Sequence, residues 1–152
     1  MAPGSMEEPE AEEPPSSSLL TDWARAAYAN VSTDPAEVTI RLVDKSEMRT
    51  LNRDYRGRDK ATNVLSFPFR MEAGADPGLD FSLLGDIVIC HPVVRAEALT
   101  QQKSVADHYA HMVTHGMLHL CGYDHQQESD AQRMEALETR ILEFSGIADP
   151  YT

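Results

Sequence analysis

LGDIVIC, residues 84–90, decides the fold class, because it is apolar at nearly every position rather than at every second one. A strand wetted on one face alternates apolar with polar residues, whereas a continuous apolar run suits a central strand covered on both faces. Upstream, TNVLSFPF (62–69) is β-branched and aromatic and predicts a second strand stopped by Pro68, followed by a loop over 72–80 that holds two Gly and one Pro. Downstream, Pro92 suits the first turn of a helix running to about Gln101. Val105–Cys121 predicts another helix, with Ala106, Val113, Met117 and Leu120 as apolar contacts and Gly122 in place to end it. A last helix, about Ser129–Phe144, carries Met134, Leu137, Ile141 and Phe144 on one stripe and ends at Gly146.

Toward the N-terminus, Glu37–Val43 alternates Val38, Ile40 and Leu42 with polar neighbours, the pattern of a strand. Asp44 with Glu47 three residues later resembles a capping box opening a helix to about Tyr55, with Met48 and Leu51 inward and Gly57 as the stop. From Ser17 to about Asn30, Leu20, Trp23, Ala27 and Tyr28 share one helix face. Residues 1–16 are rich in Glu, Pro, Ala and Ser and cannot bury enough apolar surface to offset the entropy of ordering. The expected organisation is a disordered acidic tail over 1–16, with Met6 an alternative start behind the leader MAPGS, then one domain over 17–152. That domain is expected to be α+β: a small mixed sheet of three to four strands packed by about five helices.

The 152 residues carry 13 Lys+Arg against 25 Asp+Glu, a net charge of −12 that by itself argues against a nucleic-acid binder. The charge is uneven. Residues 1–15 hold five acids and no base, whereas residues 41–70 hold eight bases against four acids, a local balance of +4. A basic segment inside an acidic chain can attract a polyanion locally while the rest of the surface repels non-specific binding. Two cysteines, Cys90 and Cys121, are too few for a disulfide scaffold and sit in apolar runs. No run of 18 apolar residues exists to span a membrane, and the N-terminus has neither the basic start nor the apolar stretch of a secretory signal. A cytoplasmic, reducing location is therefore expected.

The chemistry concentrates in HGMLHLCGYDH, residues 115–125. His115 and His119, four apart on a helix, leave the same face about 6 Å apart, within reach of one metal ion. Gly122 breaks the helix, and the turn at Tyr123–Asp124 can swing His125 back to the same point. Asp124 invites a role as base, although an Asp in a turn commonly bonds its own backbone. Three neutral imidazoles with an open fourth position describe a catalytic zinc site, where a bound water would ionise near pH 7, better than a closed structural one. Imidazoles also suit copper, iron or nickel. His111 lies on the same stripe, but His111 to His119 spans about 12 Å of helix axis, too far for one ion to collect all three. His108 and His91 read as surface or helix-end residues. The spacing also matches metzincin proteases, yet those need Glu directly after the first His, where Gly116 stands here. Without that proton acceptor a peptidase is disfavoured.

Together with LNRDYRGRDKATNVLSFPF (51–69), LLGDIVIC (83–90), MEALET (134–139) and the terminal DPY (149–151), this motif closely resembles the YbeY family of bacterial endoribonucleases and ribosomal RNA maturation factors. The resemblance runs from about Val38 to the end. It implies an α+β fold with a four-stranded mixed sheet, although the short strand with which the family usually opens has no counterpart in the acidic tail. It implies one Zn(2+) per chain, held by His115, His119 and His125. It further implies cleavage of single-stranded RNA, maturation of the small-subunit ribosomal RNA 3′ end, and ribosome quality control with the ribosome or its proteins as partners. The family's functional arginine falls at Arg56 in the YRG motif, where a guanidinium can grip a phosphate by two parallel hydrogen bonds. Arg58 and Lys60 follow as candidates for tracking an RNA backbone, and Asp86 as a partner that orients a turn or a ligand histidine. Asn63 and Ser66 are expected to pack. The alternative is a non-catalytic ribosome assembly factor with a structural zinc.

Overall fold

The computed structural model describes residues 13–68, 83–123 and 127–147. Among them are five helices and three strands: α1 (Ser17–Ala29), β1 (Glu37–Val43), α2 (Lys45–Arg56), β2 (Val64–Pro68), β3 (Leu83–Cys90), α3 (His91–Thr100), α4 (Val105–Leu120) and α5 (Glu128–Phe144). The sheet order is β1-β3-β2, so the apolar run is the central strand. β1 pairs with β3 in parallel and β2 pairs with it antiparallel, which makes the sheet mixed. Of the expected N-terminal tail, residues 1–12 lie outside the described residues, as do the predicted loop over 72–80 and the terminal 148–152.

The period of two along β3 divides the protein interior in half. Ile87 and Ile89 turn to one face and join Leu20 and Ala27 of α1, Tyr109, Val113, Met117 and Leu118 of α4, and Met134, Leu137 and Ile141 of α5. Val88 and Cys90 turn to the other and meet Val43, Leu65 and Met48 of α2, with Val93 of α3 alongside. Each fully buried aliphatic side chain contributes about 1.5–3 kcal/mol. The exposed ion pairs Arg41–Glu47, Arg49–Asp59 and Arg53–Asp54 add little beside this, because water screens them.

The helix punctuation follows the sequence. Asp44 caps α2 by accepting from the Glu47 N–H at 2.8 Å, and Gly57 ends it in the left-handed region at φ 72°. Ser16 and Ser104 cap α1 and α4 in the same way as Asp44. Three details differ from expectation. β2 begins at Val64 rather than Thr62, because Asn63 is a junction: its carbonyl accepts from the Cys90 N–H and its side chain bonds Glu97. Leu42 is 38% exposed on the outer strand β1, where Val43 turns inward instead. Phe144 is 82% exposed, because the buried stripe of α5 runs Met134, Leu137, Glu138, Ile141, Leu142 and has rotated past it.

Candidate metal centre

Helix α4 lies against the sheet at unusually short range. A Cβ placed on Gly116 would stand 3.0–3.3 Å from three side-chain atoms of Ile87, so any larger residue there would press on that side chain. Ser66 of β2 donates from its hydroxyl to the Gly116 carbonyl at 3.2 Å, fixing the helix along the sheet. Position 116 faces β3, and the glutamate of a metzincin would have no space there. The stripe that carries His108, His111, His115 and His119 is therefore set in depth and rotation by the residue next to the first predicted ligand.

Successive rings on that stripe are 6.0, 6.2 and 4.6 Å apart, and the closest pair is His115 and His119. Their Nε2 atoms face one another at 3.1 Å. Two nitrogens bound to one tetrahedral ion at about 2.0–2.1 Å each stand about 3.3 Å apart. The observed pair matches that spacing to within a few tenths of an ångström, and both side chains are partly exposed, as an open site needs. The helix then stops at Gly122 as predicted: Tyr123 N–H bonds the Leu118 carbonyl, Gly122 N–H bonds that of His119, and Gly122 takes φ 102°. His125, the third predicted ligand, and Asp124 lie outside the described residues.

The other side of His115 is also engaged. Its Nδ1 lies 2.6 Å from Oε2 of Glu138 in α5, a residue with no solvent exposure. A carboxylate can only accept, so Nδ1 donates, and in the neutral ring the lone pair is then on Nε2, facing His119. The same Oε2 is 3.8 Å from His111 Nε2, and ligand atoms of His111, His115 and Glu138 all fall within 4.8 Å of one another. Sequence reasoning missed Glu138 as a site residue. The signal was available: it sits one position after Leu137 and three before Ile141, on the stripe where α5 is otherwise apolar.

Asp86 is expected to orient a turn or a ligand histidine, and of those ligands His125 lies outside the described residues. Asp86 is exposed and shares a face with Val88 and Cys90, so the sheet stands between it and α4. The carboxylate that bonds a predicted ligand is Glu138. His108 is not a surface residue. It is 2% exposed, and its Nε2 donates to Glu97 Oε1 at 2.8 Å. Burial pushes the Glu97 carboxyl up, but the hydrogen bonds from His108 and from Asn63 outweigh it and hold the group below the usual carboxylate range. His91 begins α3, as expected of a helix-end residue, and its Nδ1 hydrogen-bonds with the Tyr109 hydroxyl at 2.6 Å. Burial keeps that phenol protonated well beyond its ordinary range.

The basic segment lies on the opposite face of the sheet. Arg56 is the last residue of α2, next to Tyr55, whose ring meets Phe67 of β2 with centroids 4.3 Å apart. Three arginines of the segment are engaged: Arg41 with Glu47, Arg49 with both oxygens of Asp59 at 2.7 and 3.0 Å, and Arg53 with Asp54. Arg49's hydrogen bond holds the Asp59 carboxyl below its ordinary range. Arg56, Arg58 and Lys60 are exposed and make no ion pair among the described residues. The loop that presents the last two is fixed from beneath, because buried Asn52 donates from Nδ2 to the Lys60 carbonyl at 2.8 Å. β2 is thus the shared wall: Ser66 ties it to the histidine helix and Phe67 to the arginine helix.

A three-stranded mixed sheet backed by a helix with two convergent imidazoles defines a small α+β domain with a candidate metal site. Comparison with known proteins places it more narrowly. The family model described as "Endoribonuclease YbeY" matches residues 6–146. An Endoribonuclease YbeY from Alkalilimnicola ehrlichii is 56% identical over 140 residues, which cover 90% of this chain and 82% of that protein. The solution structure of TM1509 from Thermotoga maritima superimposes with a TM-score of 0.58 at 28% identity, covering 86% of this chain and 83% of the other. The chain belongs to the YbeY endoribonuclease family.

Proposed function

We propose that this protein is a zinc-dependent endoribonuclease that cuts single-stranded RNA, acting in maturation of the small-subunit ribosomal RNA 3′ end and in ribosome quality control in the cytoplasm. The observation that carries the metal centre is the 3.1 Å approach of His115 Nε2 and His119 Nε2 at a partly exposed edge of α4. The RNA substrate rests on the family name and on the free basic group Arg56, Arg58 and Lys60.

His115, His119 and His125 would hold the ion, which when bound supplies Lewis-acid stabilisation of charge developing at a phosphodiester. Arg56 offers two parallel N–H donors to a phosphate of the RNA, the role the family resemblance implies for it. Arg58 and Lys60 hold the flanking backbone. The partial exposure of both imidazoles favours this reading over a closed structural zinc. A His115→Ala protein freed of trace ribonuclease is expected to lose cleavage of unstructured RNA. Cleavage at the wild-type rate would refute the proposal. The product ends assign the nucleophile: a 2′,3′-cyclic phosphate marks attack by the 2′-hydroxyl, and a 5′-phosphate marks attack by water.

A further inference from the structure

Resting on the metal reading above, we propose that Glu138 is a positioning residue of the metal centre: its buried carboxylate fixes the tautomer and orientation of His115 so that Nε2 faces His119. Three observations lead there. Glu138 has no solvent exposure and lies on the apolar stripe of α5, beside Leu137 and Ile141, where an uncompensated charge would be strongly unfavourable. Its Oε2 lies 2.6 Å from His115 Nδ1, at the short end for an N–H donor on a carboxylate. The opposite nitrogen of that same ring is the one that stands 3.1 Å from His119. A donating Nδ1 and a free Nε2 are the state a ligand imidazole must hold, and an outer carboxylate is a common means of holding it.

His111 Nε2 lies 3.8 Å from the same oxygen, beyond hydrogen-bond range of it. The competing use of these groups is a separate ion held by His111, His115 and Glu138. That would require Nδ1 to lose its proton and the 2.6 Å contact to open to the spacing of two ligands on one ion, about 3 Å or more. It would also bury the ion against a carboxylate that no solvent reaches, whereas the His115–His119 edge is partly open.

The test uses the full chain freed of metal, in wild type, Glu138→Gln and Glu138→Met. The Gln variant keeps an acceptor for Nδ1. The Met variant nearly keeps the volume in a buried position and removes the acceptor. Zinc titration is expected to show one ion per chain in wild type, a dissociation constant raised about 10–100-fold in Glu138→Met, and most of the affinity recovered in Glu138→Gln. Histidine nitrogen NMR of the metal-free protein is expected to show His115 protonated at Nδ1 in wild type and Glu138→Gln, and to lose that single tautomer in Glu138→Met. Wild-type affinity and an unchanged tautomer in Glu138→Met would overturn the proposal. So would complete loss of the ion in Glu138→Gln with the ion retained in His119→Ala, which would make Glu138 a ligand. If wild type binds no zinc, the metal reading falls, and the metal-free NMR spectra alone then decide whether Glu138 sets the ring.

Discussion

The C-terminal half of α4 and the C-terminal end of α2 flank the same sheet on opposite faces, and they hold their polar groups in opposite ways. On α4 the imidazoles are partly or fully withdrawn from water, and His115 is bonded to a carboxylate with no exposure at all. On α2 the guanidinium of Arg56 ends the helix in solvent, with Arg58 and Lys60 beside it on a loop fixed through its backbone by Asn52. A metal site needs fixed lone pairs, so its side chains are positioned by burial and hydrogen bonds. A surface for a flexible polyanion needs accessible charge, so there the backbone is fixed and the side chains are left free. β2 joins the two, through Ser66 on one side and Phe67 on the other.

The contrast predicts that the two sides fail separately. Arg56→Ala is expected to lower RNA cleavage about 10²–10³-fold, the usual loss for one group that stabilises developing charge. Metal content and melting temperature should not move. Arg56→Lys should restore little of the rate, since an ammonium cannot make the two parallel bonds. Loss of the ion in Arg56→Ala would break the division between the faces.

A smaller effect is expected on the α4 side from Gly116→Ala. The exchange gains up to about 1 kcal/mol of helix propensity. Against it stands overpacking of Ile87, fully buried and 3.0–3.3 Å from the new Cβ, which costs about 1–3 kcal/mol. Thermal or denaturant unfolding should show net destabilisation of about 1 kcal/mol, with weaker metal binding because the ligand stripe is displaced. A stabilised variant would show that the close approach of α4 does not set the site.

The smallest effect concerns salt. With Arg56, Arg58 and Lys60 exposed on a chain of net charge −12, binding of single-stranded RNA should show a shallow salt slope, about three phosphates or fewer. Removing Arg58 or Lys60 should lower the slope by about 0.7 each. A steep slope would mean that the arginines paired with Glu47, Asp59 and Asp54 also engage RNA.

Much of this arrangement was legible in the sequence, and the parts that were not share a cause. Central β3, the caps at Asp44 and Gly57, and the His115–His119 pair follow from local rules of period, capping and helical spacing. Glu138 did not, because a glutamate on an amphipathic helix is solvated by default, and its partner is 23 residues away. His108 was hidden for the same reason: its burial depends on Glu97 of another helix. Composition showed a basic segment at 41–70 but not which arginines were already neutralised, since Arg49 reaches Asp59 across the end of its own helix. The face of Asp86 was not legible either, because it is set by register, and its even-numbered neighbours Val88 and Cys90 point away from α4. The acidic net charge misled in a simpler way, as five of the acids lie in the first 15 residues and four of the eight bases of 41–70 lie in 53–60.

The account stands most directly on metal content measured beside RNA cleavage in wild type and His119→Ala. It predicts one zinc per chain and cleavage of unstructured RNA in wild type, with both lost together in the variant while the protein remains folded. A His119→Ala protein that keeps its metal, or that cuts RNA at the wild-type rate, would contradict it.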